Sequence, residues 1–474
     1  MTARGIIGLC FITALVGCAK GDADTSSSSG GSWTGSAVDT GPTFSPGDTG
    51  TSDEYEGTFE FSGDRPYNVL MISLDTTRVE DLGRFSGLGT TPNLDALFEE
   101  SVTLDNHRSC SNWTFGSTVC VQSGGWDLEL GFVPGTGTEP ANVPDDILQA
   151  PEVLGDAGWR SYLVSTNSFL SSQVNNAQGF DDEKLFDAHR GEDADGEAVT
   201  ERAVDELETL MSGDDAWYLH VHYLDPHDPY TPPDEYLDEL DSLESIRYDL
   251  TNAATVRELN ANWDNIDADE RTLIQQHIDV RYRGELAYVD AQIGSLIDQA
   301  EALGGLEDTL VVFWTDHGEQ AGEHGSLGHD YHLYDEVNRS VVSFYADGLT
   351  PVAWDGPTTH ADIWPTILEI LPWDFGAPFM GMPVGTRGDD DVRFGLKYTS
   401  DDETVMFAEQ NEKKLIYYWS GHTEYYDLAV DPDEFSDGFD PDDPDVQALW
   451  ALMAPNVEAM EVLYPETPAS DPGI

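Results

Sequence analysis

Basic side chains are scarce in this sequence. Its 474 residues include 91 Asp and Glu but only 21 Lys and Arg, which gives a formal net charge of -70. Because proteins bind nucleic-acid phosphates through Lys and Arg, this balance excludes nucleic acid as a partner and argues equally against electrostatic docking on anionic lipid. An anionic substrate therefore needs a local source of positive charge, which a bound metal ion can supply.

Long hydrophobic runs are also missing beyond the N-terminus. The run from Ile6 to Val16 is too short to span a bilayer, and Arg4 precedes it, which is the pattern of an export signal. The tetrapeptide Leu15-Val16-Gly17-Cys18 is similar to the lipobox of bacterial lipoproteins. We therefore expect residues 1–18 to be a lipoprotein signal peptide, the alternative being an ordinary signal peptide. The chain would then be anchored to the bacterial cell envelope, at the outer membrane on its periplasmic or surface face, only through lipid on Cys18.

Cysteine is equally rare, with four residues in the whole chain. Cys10 lies within the predicted signal, and Cys18 is the predicted lipid carrier. Cys110 and Cys120 remain, and an exported location permits a disulfide bond between them. The sequence leaves open the alternative that both are buried thiols.

Composition divides the rest of the chain into three parts. Residues 19–64 are rich in Ser, Gly, Thr and Asp without a hydrophobic period, which predicts a disordered tether. Across residues 65–390, apolar runs alternate with amphipathic stretches, which predicts an α/β domain with a mostly parallel sheet and helices on both faces. Residues 391–474 contain short alternating runs that predict a small antiparallel sheet, followed by a last helix.

The strongest individual predictions are five strands and four helices of the α/β domain. The strands are expected at 68–74, 159–165, 217–223, 309–314 and 340–345. The helices are expected to begin at Pro92, to end at 153–158, and to span 199–211 and 267–303. In the C-terminal part we expect strands at 393–398, 414–418 and 424–428, and a helix at 443–463 that Pro455 kinks or splits.

Polar side chains follow three of the predicted strands at the point where each strand ends. Asp75 follows the first strand, and the loop 225–230 follows the strand at 217–223. The segment 315–329 follows the strand at 309–314 and contains three His, one Asp, two Glu and four Gly. Open α/β sheets place their sites at the carboxyl ends of strands, so this edge is the predicted site. A fourth segment, 110–124, offers hydroxyl groups just before a predicted helix, where backbone amides can hold an anion.

These four segments, in this order, resemble the sulfatase branch of the alkaline-phosphatase superfamily over residues 67–435. The resemblance implies an alkaline-phosphatase-like α/β fold and a metal-dependent catalytic domain over residues 65–390. The motifs that carry it are Asn68…Ser73-Leu74-Asp75-Thr76-Thr77-Arg78, Thr90-Thr91-Pro92-Asn93-Leu94-Asp95, Asp225-Pro226-His227-Asp228-Pro229-Tyr230, Asp316-His317-Gly318-Glu319…Gly322-Glu323-His324-Gly325, Leu333-Tyr334-Asp335-Glu336, Asp362-Ile363-Trp364-Pro365-Thr366 and Tyr426-Asp427-Leu428…Asp431-Pro432-Asp433-Glu434.

The nucleophile position departs from the sulfatase pattern. Formylglycine sulfatases carry Cys or Ser followed by x-Pro-Ser-Arg, and the first residue is oxidised to become the nucleophile. Counting back from Ser123-Gly124 puts Thr114 at that position, with Gly116 and Thr118 in place of the proline and arginine. The resemblance is therefore to the threonine enzymes of the family, such as phosphoethanolamine transferases and lipoteichoic-acid synthases, and it implies that Thr114 is the nucleophile.

Two further departures concern the metal site. Typical sulfatases begin with two adjacent aspartates, where this chain has Asp75 and Thr76. The lysine that follows their Gly-Glu-His-Gly segment is replaced by His329, as in the threonine enzymes. The predicted ligands of one divalent metal ion are Asp75, Thr114, Asp316 and His317. This set favours zinc or manganese over calcium, because calcium prefers an all-oxygen shell with more ligands. Calcium is left open as an alternative.

The remaining predicted roles surround the nucleophile. The metal would lower the pKa of the Thr114 hydroxyl and hold its alkoxide for in-line attack on phosphorus or sulfur. His227 and His329 would stabilise charge or protonate the leaving group, and Arg78 would brace Asp75 or touch the substrate. The alternatives left open are Ser117 or Ser111 as nucleophile, and His324 or His332 in the place of His329.

The expected function is metal-dependent hydrolysis of phosphate mono- or diesters, or of sulfate esters, through a covalent intermediate on Thr114. Phosphorus is favoured because no formylglycine precursor stands at this position. The alternatives are a sulfuric ester hydrolase without formylglycine, a transferase that moves a phospho-group onto a cell-envelope glycan or lipid, and a non-catalytic binding protein. The expected partner is an anionic ester, for which a cell-envelope glycan or lipid is a candidate.

Overall fold

The computed structural model describes residues 58–132, 141–186, 195–237, 239–329, 331–376, 379–388, 390–398, 404–463, 469–470 and 472–474. The predicted signal peptide and most of the predicted tether lie outside these residues. In the part of the chain that is described, no helix combines the length and the apolar character that a bilayer crossing requires.

The strands form one large sheet, one small sheet and a two-stranded ribbon. In chain order the strands are β1 (Asn68–Leu74), β2 (Val102–Arg108), β3 (Arg160–Ser165), β4 (Asp182–Leu185), β5 (Trp217–Tyr223), β6 (Thr309–Thr315), β7 (Gln320–Ala321), β8 (Leu327–Gly328), β9 (Arg339–Tyr345), β10 (Val352–Trp354), β11 (Thr358–Thr359), β12 (Arg393–Lys397), β13 (Val405–Gln410), β14 (Lys413–Tyr418) and β15 (Thr423–Asp427). The large sheet has the order β10-β2-β9-β6-β1-β5-β3-β4, and β11 pairs with β2. Its pairs from β6 to β4 are parallel, whereas β9 is antiparallel to β2 and β6.

Helices cover both faces of the large sheet. In chain order they are α1 (Gly83–Ser86), α2 (Pro92–Glu99), α3 (Thr114–Ser123), α4 (Asp127–Leu130), α5 (Ala150–Asp156), α6 (Gly196–Met211), α7 (Ala253–Ala261), α8 (Ala268–Ala302), α9 (Asp335–Asn338), α10 (Ile363–Ile370) and α11 (Pro444–Leu463). Apolar side chains of α2, α6 and α8 pack on one face, and those of α3, α5 and α10 pack on the other.

The centre of the large sheet follows from the residues of β1 and its neighbours. Successive side chains of a strand point to opposite faces, so Leu70 and Ile72 pack with α2, α6 and α8, while Val69 and Met71 pack against the opposite helix layer. Every residue of β1, β5 and β6 is buried. Burying one such aliphatic side chain contributes about 1.5–3 kcal/mol, which makes these three strands a rigid base for the loops that follow them.

The small sheet consists of β12, β13, β14 and β15 in antiparallel order. Met406 and Ala408 of β13 pack towards α11, whereas Val405 and Phe407 pack towards Leu333, which lies just after the 315–329 segment. Both faces of this sheet are therefore covered, and its second face supports the end of the predicted site segment.

The predicted mixed α/β fold, with a mostly parallel sheet and a small C-terminal antiparallel sheet, is confirmed. The predictions did not include β2 or β13 and gave no direction for the strand at 340–345, which runs antiparallel to its neighbours. The predicted C-terminal helix is one helix, α11, that continues through Pro455 and is not split there. β13 was missed because both of its faces are buried, which removes the polar alternation typical of a half-exposed strand.

Candidate active site

The site is built at the carboxyl ends of β1 and β6, two adjacent parallel strands. Leu74 pairs with Thr315 in the sheet register, so the next residues, Asp75 and Asp316, leave the sheet side by side. The backbone N–H of Asp316 donates to Leu74 O at 3.1 Å, which continues the ladder to the point where the loops diverge. The side chains of Asp75, Asp316 and His317 are fully buried, and their potential ligand atoms all lie within 4.8 Å of one another.

Three acceptor atoms of this trio lack hydrogen-bond partners among the described residues: Asp75 Oδ1, Asp316 Oδ2 and His317 Nε2. His317 Nε2 lies 3.4 Å from Asp316 Oδ2 and 3.8 Å from Asp75 Oδ1. The other ring nitrogen, Nδ1, donates to Gly318 O at 3.0 Å, so the neutral ring presents its Nε2 lone pair to the two carboxylates. Buried polar atoms are normally paired, and three converging lone pairs without a proton between them fit a divalent cation.

The electrostatics of the trio agree with a cation site. Burial raises the pKa of Asp316 well above its ordinary value, and the charge of nearby Asp75 raises it further. Burial lowers the pKa of His317, and the neighbouring His329 lowers it further. The second oxygen of Asp316 accepts hydrogen bonds from the N–H groups of Thr76 at 3.0 Å and of His317 at 2.7 Å. Two buried carboxylates and one neutral imidazole thus leave negative charge that a metal ion bound by mixed N and O donors would neutralise.

Thr114 lies next to the trio at the first position of α3. Its hydroxyl donates to Asp75 Oδ2 at 3.2 Å, and the side chain is only 3% exposed. Asn167 Nδ2 donates both to Thr114 Oγ1 at 3.0 Å and to Asp75 Oδ2 at 2.7 Å. The side-chain oxygen Oδ1 of Asn167 accepts from the backbone N–H of Phe169 at 2.9 Å, which fixes the orientation of the side-chain amide. The Thr114 oxygen is therefore held at the edge of the candidate metal site.

The two alternative nucleophiles make other contacts. Ser111 Oγ donates to Leu396 O at 2.7 Å, and Ser117 Oγ is 2.9 Å from Ser109 Oγ. Neither hydroxyl contacts Asp75. The disulfide bond between Cys110 and Cys120 joins the segment before α3 to the helix itself. This bond, which the sequence left open, braces the turn that presents Thr114.

His227 and His329 face each other beside this cluster, with their Nε2 atoms 3.4 Å apart. His227 Nδ1 donates to Asp228 O at 2.7 Å, and His329 Nδ1 donates to Asn112 O at 2.8 Å. Burial opposes protonation of His227, but the charges of Asp75, Glu319 and Asp228 raise its pKa to about 9. One proton is thus available between the two Nε2 atoms.

The alternative histidines and Arg78 make other contacts. His324 stacks on Tyr334, and His332 Nδ1 lies 3.0 Å from Tyr418 Oη. Arg78 was predicted to brace Asp75 or touch the substrate, and the second role stays a prediction. Its guanidinium pairs with acidic side chains of two loops and donates to a backbone carbonyl. These partners are Glu80, Asp81, Glu323 and Glu319 O. Arg78 therefore fastens the 316–329 segment to the loop after β1, and none of its contacts reaches Asp75.

Two residues at Asp75 were not predicted as site residues. Asn167 follows β3 by two residues, and His222 Nε2 donates to Asp75 Oδ2 at 3.3 Å from the end of β5. The His-Val-His pattern of β5 was a signal for His222, because polar rings are unusual in a central strand. Asn167 carried a weaker signal, its position after a strand end.

A cavity of about 800 Å³ opens in front of Thr114. Asn167, His227 and His329 form its polar end, next to Thr114. Its other walls are mostly apolar and include Trp113, Phe169, Leu185, Phe186, Leu224 and Pro229. The cavity therefore joins a polar reaction centre to an apolar surface.

Comparisons with known proteins agree with this architecture. Residues 67–372 match the family model described as Sulfatase. The chain is 23% identical over 300 residues to choline-sulfatase from Rhizobium meliloti (strain 1021), which covers 59% of this chain and 55% of that protein. A sulfatase from Formosa agariphila is 23% identical over 466 residues, covering 86% of this chain and 88% of that one. The chain thus spans about half the length of the choline-sulfatase and most of the Formosa protein.

Solved structures share the fold. BT4656 in complex with its substrate D-glucosamine-2-N,6-O-disulfate superposes with a TM-score of 0.64 at 18% identity, covering 85% of this chain and 99% of that chain. The phosphonate monoester hydrolase of Agrobacterium radiobacter gives a TM-score of 0.62 at 19% identity, with 84% and 96% coverage. The same architecture therefore occurs in proteins that are named for esters of sulfur and of phosphorus.

Proposed function

Because this chain belongs to the sulfatase family, we propose that it is a metal-dependent ester hydrolase in which the Thr114 hydroxyl is the nucleophile. One observation carries the proposal: Thr114 Oγ1 donates to Asp75 Oδ2, beside three buried acceptors that lack hydrogen-bond partners among the described residues. A structural threonine at the start of a helix would not need that environment. A divalent ion held by Asp75, Asp316 and His317, with Thr114 as the fourth predicted ligand, supplies positive charge that lowers the pKa of the hydroxyl.

The side chains around Thr114 suit a two-step reaction. Thr114 Oγ1 passes its proton to Asp75 Oδ2, its hydrogen-bond acceptor at 3.2 Å. Oγ1 then forms a bond to the phosphorus or sulfur of the ester as the bond to the leaving oxygen breaks. Asn167 donates to Oγ1 and keeps it in line for attack. The proton between His227 and His329 goes to the leaving oxygen. The histidine that gave it then takes a proton from water, whose oxygen attacks the phosphorus or sulfur. The bond to Thr114 Oγ1 breaks, and Oγ1 regains its proton from Asp75.

Phosphorus esters are the favoured substrates. A threonine cannot be converted to formylglycine, which sulfatases of the family pattern use to cleave sulfate esters. Proteins of this fold include phosphonate monoester hydrolases, so phosphorus chemistry is compatible with it. The apolar walls of the cavity support an ester whose organic part presents an apolar face, such as an aromatic ring, an acyl chain or one face of a sugar.

The test compares substrates and variants in one assay. Purified protein is given aryl phosphate monoesters, aryl phosphodiesters and aryl sulfates, with Thr114→Ala beside the Ser117→Ala control. We expect turnover of a phosphorus ester that Thr114→Ala abolishes and Ser117→Ala retains. Sulfatase activity far above the phosphatase activities, surviving Thr114→Ala, would refute the proposal. Adding glycerol or a sugar as acceptor and analysing the products separates hydrolysis from transfer.

Location stays a separate proposal. We propose that lipid on Cys18 anchors the chain to the cell envelope, which would place the site near envelope glycans and lipids. Labelling with a radioactive fatty acid tests it. Label on the wild-type chain that Cys18→Ala loses would support it, and equal labelling of both would contradict it.

A further inference from the structure

Four buried polar side chains of β1, β5 and α3 form a row that leads from Asp75 into the core. They are His222, Ser73, His220 and Gln122, and each is 0% exposed. Ser73 pairs with His222 in the register of these strands, at a depth where central parallel strands carry aliphatic residues. Burying four polar side chains is unfavourable unless each finds a hydrogen-bond partner, so this row needs an explanation.

The four side chains form one continuous hydrogen-bond chain that ends on Asp75. His222 Nε2 lies 3.3 Å from Asp75 Oδ2, and its Nδ1 lies 2.8 Å from Ser73 Oγ. Ser73 Oγ is also 2.8 Å from His220 Nε2. His220 Nδ1 is 3.1 Å from Gln122 Nε2, which completes the row.

The direction of each hydrogen bond follows from the two ends. The Asp75 carboxylate only accepts, so His222 donates from Nε2, which leaves its Nδ1 to accept from the Ser73 hydroxyl. Ser73 Oγ in turn accepts from His220 Nε2–H, which leaves His220 Nδ1 to accept from the Gln122 amide. Burial lowers the pKa of His220 well below its ordinary value, which agrees with a neutral ring that carries one proton. Every donor in the row thus points towards Asp75.

The row distinguishes the two oxygens of Asp75. Oδ2 accepts from His222, from Asn167 at 2.7 Å and from Thr114 at 3.2 Å. Oδ1 lacks a hydrogen-bond partner among the described residues and lies 3.8 Å from His317 Nε2. One oxygen is therefore occupied by donors, and the other faces the candidate metal position.

We propose that His222, oriented by Ser73, His220 and Gln122, is a positioning residue that holds Asp75 with Oδ1 towards the metal and Oδ2 towards Thr114. This inference rests on the proposed function: both parts need the metal site at Asp75, Asp316 and His317, and only the activity part also needs Thr114 as the nucleophile. Hydrogen-bond partners of metal ligands commonly change metal affinity or activity by about 10–100-fold when they are removed.

His222→Phe tests the inference because it removes the donor and keeps the ring volume. Zinc and manganese are titrated separately into the EDTA-treated full chain by calorimetry, and kcat and KM are measured with the best substrate of the assay above. We expect the metal Kd to rise by about 10–100-fold and kcat to fall by about 10–100-fold, with KM changed by less than about 3-fold. His222→Gln keeps an N–H donor and is expected to recover part of both losses.

His107→Phe is the matched control. His107 is also 0% exposed and lies 2.8 Å from Thr358 Oγ1, so its replacement disturbs a buried imidazole of the same kind away from Asp75. Metal Kd and kcat that change equally in His222→Phe and His107→Phe would overturn the inference. If His222→Phe does not fold, Ser73→Ala breaks the row one bond away and should weaken metal binding in the same direction. An unchanged metal Kd there would equally overturn it.

Failure of the proposed function gives a different result. Thr114→Ala that keeps full activity would refute Thr114 as the nucleophile, yet the calorimetric Kd of His222→Phe would still decide whether His222 positions Asp75.

Discussion

In the described part of the chain, two of the clusters of buried charged side chains differ in how their charge is neutralised. Between the two sheets, Arg108 and Arg393 both pair with Glu409, and Arg108 also pairs with Asp335. At the edge of the large sheet, Asp75 and Asp316 receive hydrogen bonds from neutral donors, and one oxygen of each lacks a hydrogen-bond partner among the described residues. In the first cluster Arg side chains pair with both carboxylates, whereas no Lys or Arg of the described residues pairs with Asp75 or Asp316.

The difference separates charge that stabilises the fold from charge that serves a site. A buried carboxylate is tolerated when cations and hydrogen bonds neutralise it, as for Glu409. Burial alone would raise the pKa of Glu409, but Arg108, Arg393 and Lys414 lower it to about 2. Asp316 forms no ion pair with a Lys or Arg of the described residues, and burial and the charge of Asp75 raise its pKa. Substitutions in the two clusters should therefore have opposite effects on stability and on activity.

Thr114→Ala should give the largest effect, a loss of activity with little change in stability. Loss of the nucleophile is expected to lower kcat/KM by at least about 10³-fold, or roughly 4 kcal/mol of transition-state stabilisation. The free energy of unfolding should change by less than about 1 kcal/mol, because the hydroxyl mainly contacts site residues. Steady-state kinetics and urea unfolding measure both quantities. A variant within tenfold of wild-type activity would remove Thr114 from the mechanism.

Glu409→Ala should show the reverse pattern. It leaves Arg108 and Arg393 buried without their shared carboxylate, which is expected to lower the free energy of unfolding by about 3–5 kcal/mol. Urea unfolding at neutral pH checks this value, with the exposed Glu258→Ala as control. If the two variants unfold at the same urea concentration, the neutralised cluster does not stabilise the fold as argued.

Metal addition should distinguish the site from every other acidic group. Zinc or manganese at 100 times its Kd is expected to stabilise the EDTA-treated chain by about 2.7 kcal/mol, and Asp316→Asn should lose this response. In the metal-free state Asp316→Asn should be at least as stable as wild type, because it removes the repulsion from Asp75. Thermal unfolding with and without metal measures both effects. A metal-free Asp316→Asn chain that is clearly less stable than wild type would contradict the claim that Asp75 and Asp316 repel each other.

The smallest effect is the acid dependence of the neutralised cluster. The pKa of Glu409 is depressed from 4.5 to about 2, so its contribution to stability is present above pH 4.5 and is lost as the pH falls through 2. The stability difference between wild type and Glu409→Gln should therefore shrink as the pH is lowered across that range. Urea unfolding of the two proteins in parallel measures the difference. A gap that stays constant or widens at low pH would show that Glu409 is not the group that titrates.

Much of the fold could be predicted because its central strands carry the signal themselves. β1, β5 and β6 are uninterrupted buried runs, and their predicted bounds differ from the observed ones by at most one residue. The antiparallel direction of β9 was not predictable, because it depends on which neighbour the strand pairs with. β2 was missed because Asp105 and Asn106 interrupt its apolar run.

The candidate site residues that lie in motifs after strands could be predicted from the sequence. Contacts between residues that are far apart in the sequence could not. Asp75, Asp316, His317 and Thr114 follow strands or begin a helix within recognisable motifs. Asn167 contacts Thr114 across 53 positions of sequence, and no spacing rule connects the two. Arg78 follows Asp75 in a motif, but its sequence position did not indicate its ion pairs with acidic side chains of its own loop and of the 315–329 segment.

The most direct test of the central claim is the identity of the residue that carries the covalent intermediate. The metal-loaded enzyme is mixed with an aryl phosphodiester, quenched in acid within the first turnover, digested, and analysed by accurate-mass peptide sequencing. The account predicts a phosphoryl-containing group on Thr114 that is absent from Asp316→Asn. A modified Ser111 or Ser117, or substrate turnover in the first cycle without any modified residue, would contradict it.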